Sequence, residues 1–348
     1  MIADAFREQA AKAIRYVKPV QYGEATGLTL RVYQQMAADF MVLPLLTLHS
    51  SEPEVMAGAW SILRETLLAG QADRTLKEAA AATVSKLNAC PFCVDAHTML
   101  LHASSEHDVA GLIRRGDFGS IRDPQVHTLV HWVLANQTSR GDDRQEPPFS
   151  RDDAAEIVGT VVAFHYLNRM ANVFLGDALL PLPSALKGVT GRLIGTAAGR
   201  RFVRPIEQGA SLGFVPEAAL PDGLPWATAN PAVTAAFAGF AAVVEEAGEK
   251  VLPEPVRALV SEHLQAWNGE GMGLSRHWVE EAVATLKEEH RPAARLTLLT
   301  ALASYQVDAS VIEDFRRCYP ADAHLIASTA WASFTAARRI SQWLALPQ

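Results

Sequence analysis

An all-α fold is predicted by three features of the chain. Alanine and leucine are abundant, strand-like alternation is scarce, and helix-start signals recur along the length. Taken in order, apolar residues at helical spacing predict helices over 55–68, 76–87, 91–104, 124–137 and 151–175. Ser51 with Glu54, and Thr75 with Glu78, each fit a capping box, in which a hydroxyl caps the helix and an acid three residues on turns back to the cap N–H. Pro91 suits the first turn of its helix, where its missing N–H is not needed. The polar stretch 139–149 predicts a turn. Ser150 then offers an N-cap with acids in the following turn, where they complement the positive end of the helix dipole.

With 348 residues the chain is about two domains long. Residues 181–231 are richer in Gly and Pro and read as a linker. Within it, glycines at 188, 191, 195 and 199 raise the idea of a phosphate cradle over 187–201, but the Walker pattern is missing and no strand precedes it. A packed helix or a linker is the preferred reading there. Residues 232–348 read as a second, degenerate copy of 1–180. A shift of 180 lays Asn268 on Asn88 and His277 on His97, and a shift of 170 lays Phe334 and Arg339 on Phe164 and Arg169. The same 180 shift sets Ala258 against Glu78, Glu270 against Cys90 and Gly273 against Cys93, so the second copy keeps a helical frame without the thiols. Its expected role is structural, burying helix faces against the first copy.

Composition narrows the function classes. Apolar residues make up 49% and charged residues 20%, an ordinary globular mixture, and the net charge of −7 argues against a nucleic-acid surface. The N-terminus shows no basic segment leading into an apolar core, so no secretory signal is expected. No run reaches the roughly 18 uncharged apolar residues that a membrane span needs. Three cysteines do not make a secreted disulfide framework, and the expected location is cytoplasmic, where a Cys-x-x-Cys is catalytic or metal-binding more often than structural.

The chemistry concentrates in Cys90-Pro-Phe-Cys93-Val-Asp-Ala-His97, with Glu78 twelve residues before. A thiolate is the reactive form of cysteine, so a thiol enzyme needs a device that removes the proton. If 91 onward is helical, Cys93 and His97 lie one turn apart on one face. Cys90 would stand at the helix N-terminus, where the dipole favours a thiolate. This reads as a dithiol site. Two other readings compete with it. Free cysteines are often simply buried. A zinc site would use Cys90, Cys93, His97 and a fourth ligand, but zinc sites usually supply two close pairs and His102 is a poor fit to the same face. Asp95 is expected at the surface, Asn88 at a helix end, Arg169 in an ion pair within the bundle, and Cys318 as a free structural thiol.

Glu78, the Cys90/Cys93 pair and His97 together resemble the core motif of the AhpD-like alkylhydroperoxidases, within the carboxymuconolactone decarboxylase superfamily. The resemblance extends to Phe164-His-Tyr-Leu-Asn168-Arg169-Met-Ala-Asn and covers roughly 50–180. It implies an AhpD-like helical bundle and a thiol-dependent peroxidase. By resemblance Cys93 is the attacking thiolate, Cys90 the resolving thiol, His97 the base for Cys93, and Glu78 the group that orients that base. No cofactor or metal is implied. The implied partners are a hydroperoxide, an outside dithiol such as a lipoyl group on a partner protein, and a peroxiredoxin. A homo-oligomer is also implied. The alternatives carried with this reading are a decarboxylase-like lyase and a non-enzymatic redox-sensing oligomer. One departure stands out: the best-studied members carry a histidine just before the second cysteine, where this chain has Phe92.

Overall fold

The computed structural model describes residues 13–139, 146–176 and 206–344, with isolated positions at 179, 190, 192, 204 and 346. Among the described residues the regular structure is helical, and the one extended pairing is an isolated antiparallel bridge between Ile14 and Leu175. The all-α expectation holds. Apart from Thr190 and Arg192, the Gly-rich stretch 187–201 lies outside the described residues.

The N-terminal half runs α1 (Gly27–Asp39), α2 (Pro53–Leu63), α3 (Arg74–Leu87), α4 (Pro91–Ala103), α5 (His107–Arg115), α6 (Pro124–Ala135) and α7 (Arg151–Phe174). The C-terminal half runs α8 (Pro231–Val251), α9 (Glu254–Ala266), α10 (His277–Ala284), α11 (Arg291–Ala303), α12 (Ala309–Cys318) and α13 (Asp322–Ser341). A π-type turn, Arg64–Leu68, extends α2.

The caps explain where the helices begin. Ser150 caps α7 through the Asp153 N–H, as its sequence implies. The other two capping boxes do not form. Asp73 caps α3 by accepting from the Thr75 and Leu76 amides, which leaves Glu78 available for other work. Asp73 stands two residues ahead of Thr75 and takes the Thr75 N–H that Glu78 would have turned back to. At α2, Pro53 opens the helix after Glu52, and no side chain caps it.

Helix α3 is the central post. Its run Ala79–Ala82 is fully buried, and α4, α5, α6 and α7 all pack against it. Small side chains make that convergence possible, since neighbouring helix axes approach most closely where little projects between them. The two halves share one core. α7 packs along α13 and α2 along α8, where Gly58 leaves room for Phe240. Phe240 also meets Tyr166 edge-on at 4.9 Å and Phe334 at 4.7 Å. Residues 206–231 contribute to the same core through Leu224, Trp226 and Ala227. The 180-residue shift would set α9 on α3 and α10 on α4. The packing runs otherwise: α10 lies on α11, and His277 is exposed with its imidazole on Glu281.

Candidate active site

The turn between α3 and α4 sets the position of Cys90. Asn88 caps the C-terminus of α3, as expected, and Ala89 adopts a left-handed conformation with φ +50°. The Ala89 N–H donates to the Lys86 carbonyl at 3.2 Å, and the Cys90 N–H to the Ser85 carbonyl at 2.9 Å. This is a Schellman closure, with Cys90 in the position just beyond the left-handed residue. Cys90 is at the same time the N-cap of α4, so one residue ends one helix and starts the next. A buried amide network holds the joint. The Asn88 side-chain amide donates to Asn168 Oδ1 at 3.0 Å and to His165 Nδ1 at 3.1 Å, and Asn172 donates to the Asn88 carbonyl at 2.9 Å. Asn168 in turn donates to Ser85 Oγ at 3.1 Å. Burial, and secondarily Arg169, push the His165 imidazole well below its ordinary range, so it is neutral and accepts this bond.

Cys90 and Cys93 are both free thiols and both 1% exposed. The dipole argument for Cys90 is overturned. Burial first, and then the adjacent Cys93, push the Cys90 thiol well above its ordinary value. A partial charge at a helix start is worth about 1 kcal/mol, too little to offset removal from water. Cys90 is therefore a protonated thiol near neutral pH.

His97 lies one turn beyond Cys93 on α4, and its Nδ1 is 2.6 Å from Glu78 Oε2. Glu78 is fully buried, and its other oxygen accepts from Arg74 at 2.7 Å. Burial alone would raise this carboxyl. The Arg74 guanidinium and His97 together outweigh it and hold the carboxyl below the usual carboxylate range. An ionised Glu78 only accepts hydrogen bonds, so His97 Nδ1 is the donor in this pair, and Nε2 is the ring nitrogen left to act on a neighbouring group. Phe164 packs edge-on against the imidazole at 4.4 Å and fixes the ring plane. The sequence reading did not find Arg74. Its signal was the i, i+4 spacing to Glu78, a spacing common to many surface pairs.

Cys93 and His97 line one apolar cavity of about 90 Å³ with Phe40, Met41, Leu43, Leu67, Met99 and Phe164 among its walls. Phe92, which stands where the best-studied members carry histidine, also faces this cavity. Cys90 lines a different space, a cleft of about 470 Å³ bounded by Lys86, Pro91, Val94, Asp95 and Arg114.

Other expectations are corrected. Asp95 is buried and lies 3.5 Å from Arg114 rather than at the surface. The Arg169 guanidinium donates to the carbonyls of Ala301 (2.9 Å) and His165 (2.7 Å) instead of ion-pairing. His102 turns to His107, with Nδ1 atoms 3.1 Å apart. Cys318 is exposed. Among the described residues no three of His, Cys, Asp and Glu converge as a metal site. No helix among them is long and apolar enough to cross a membrane.

A helical frame that sets a Cys-x-x-Cys at a helix start beside a Glu–His pair defines a class, and the chain belongs to the AhpD-like alkylhydroperoxidase family, a family of enzymes. It is 35% identical over 334 residues to alkyl hydroperoxide reductase Rv2159c of Mycobacterium tuberculosis, an alignment covering 96% of this chain and 95% of that protein. No family model matches the chain, and no solved structure matches it.

Proposed function

We propose that this protein reduces hydroperoxides through Cys90 and Cys93. The observation that carries the reading is the shared cavity: Cys93 and His97 face one apolar space, and the far nitrogen of His97 is held by a buried carboxylate. His97 Nε2 takes the Cys93 proton. The thiolate attacks the outer oxygen of the peroxide, the O–O bond breaks, and the alcohol leaves with the proton returned from His97. Cys93 becomes a sulfenic acid. The Cys90 sulfur then attacks it, water leaves, and a disulfide forms. A protonated Cys90 suits this second role, since it does not compete for peroxide. Glu78 orients His97 and stabilises the imidazolium that appears between the two proton transfers.

The apolar walls favour a hydroperoxide with a hydrocarbon body. An outside dithiol restores the pair by exchange. A lipoylated protein, a peroxiredoxin partner and a homo-oligomeric assembly complete the reading carried over from the family. The C-terminal half, a degenerate second unit without the Cys-x-x-Cys pair, buttresses α7.

The test is a thiol count before and after one equivalent of cumene hydroperoxide. Two thiols should be lost and then recovered with dihydrolipoamide. Cys93→Ser should lose none at the site, while Cys90→Ser should consume one equivalent and stop at the sulfenic acid. Equal partial losses in both variants would sink the assignment.

A further inference from the structure

The two sulfurs face different spaces. Cys93 lines the apolar cavity and not the cleft, whereas Cys90 lines the cleft and not the cavity. Their surroundings also differ in kind. None of the cavity's lining residues is exposed, and its walls are almost wholly hydrocarbon. The cleft opens at exposed Lys86, Ala89 and Pro91, with Arg114 and Asp95 at its side.

We propose that the site has two entrances, with the hydroperoxide meeting Cys93 from the apolar cavity and a small dithiol reductant entering the cleft to attack Sγ of Cys90. The proposal rests on the peroxidase reading above. A thiolate of the reductant bonds to Cys90 Sγ, the Cys90–Cys93 bond breaks, and Cys93 leaves as a thiolate that takes its proton back through His97. The second thiol of the reductant then attacks the sulfur joined to Cys90, and Cys90 leaves and is protonated. The protein gains two electrons and two protons, and the reductant closes to a cyclic disulfide.

Leaving-group chemistry agrees with the geometry. In thiol exchange the sulfur of lower pKa departs faster. Burial raises the Cys90 thiol, which makes Cys90 a poor leaving group and disfavours attack on the far sulfur. Lys86 is exposed at the rim, with Nζ donating to the Arg114 carbonyl at 3.0 Å. A cation there favours a dithiol bearing an anionic group.

The disulfide can be made with diamide, so the first test does not depend on the peroxide reading. The oxidised protein is mixed with 2-mercaptoethanol, a monothiol that stalls at the mixed disulfide, quenched in acid and mapped by mass spectrometry. The adduct is expected on Cys90; an adduct mainly on Cys93 would overturn the proposal. The second test measures the two half-reactions separately. Lys86→Glu should slow reduction by dihydrolipoate about five-fold more than reduction by neutral dithiothreitol, because reversing the rim charge replaces attraction with repulsion for an anionic dithiol. Met99→Trp, which fills the cavity, should slow oxidation by cumene hydroperoxide far more than reduction by dithiothreitol. If both variants slow both half-reactions by the same factor, one entrance serves both. Failure of wild-type thiols to react with hydroperoxide would overturn the peroxidase reading and with it the cavity entrance, while the Cys90 adduct still decides the reductant entrance.

Discussion

At the scale of single residues, the site is a chain of a guanidinium, a carboxylate, an imidazole and a thiol: Arg74, Glu78, His97 and Cys93. Glu78→Gln can still accept a hydrogen bond from His97 but cannot stabilise an imidazolium. It is expected to slow thiol oxidation about 100-fold, the size of effect that general-base assistance contributes. Arg74→Ala separates a catalytic from a structural role. Without the guanidinium the Glu78 carboxyl titrates at higher pH, so the acid limb of the oxidation rate profile should move upward, as read by stopped-flow thiol loss across pH. An unmoved limb with a lower rate would make Arg74 a packing residue. The residue types of this chain were legible in the sequence, because Cys-x-x-Cys and a histidine one helical turn later leave few alternatives. Their protonation was not. The thiolate expected at Cys90 depended on a dipole, and the burial that overrides it comes from distant helices that no local motif displays.

At the scale of elements, the α3–α4 joint carries the clearest consequence. A left-handed residue ending a helix is usually glycine, and here it is Ala89. An alanine in that conformation costs about 1 kcal/mol relative to glycine. Ala89→Gly should therefore raise stability by about 1 kcal/mol in urea unfolding, and a loss would mean that the joint is held chiefly by its amide network. The helices around the joint were readable because periodicity and proline position act locally. The Thr75 capping box failed for an equally local reason, since Asp73 starts the helix earlier and takes the Thr75 N–H. The register of the second half was harder to read. Asn268 and His277 match Asn88 and His97 in spacing, yet α10 rests on α11, because matching letters at a fixed shift say nothing about which faces become buried.

At the scale of the whole molecule, buried histidines couple folding to pH. His49 is buried with Nε2 2.7 Å from the Tyr166 hydroxyl, and burial lowers it to about 4. Unfolded, it would titrate near 6.5. The unfolded chain thus binds a proton between those values while the folded chain does not, so stability falls as pH falls through that window. The loss from His49 is about 3 kcal/mol across the window, and His165 acts in the same direction. Urea unfolding at pH 7 and pH 5 should show the decline, and His49→Gln should flatten part of it. A pH-independent stability would contradict the buried, neutral assignment.

The four alanines at the centre of α3 bear on how such a protein changes over time. Four helices rest on that post, so a larger residue there would push several walls apart at once, and those positions are closed to experiment by selection. The far walls are not. Met41, Leu43 and Met99 are only half-buried, and Met41 and Leu43 lie outside the helices that grip the post. Divergence in the size of the molecule accepted should therefore be written in those residues, while 79–82 stay small among relatives that bind quite different hydrocarbons.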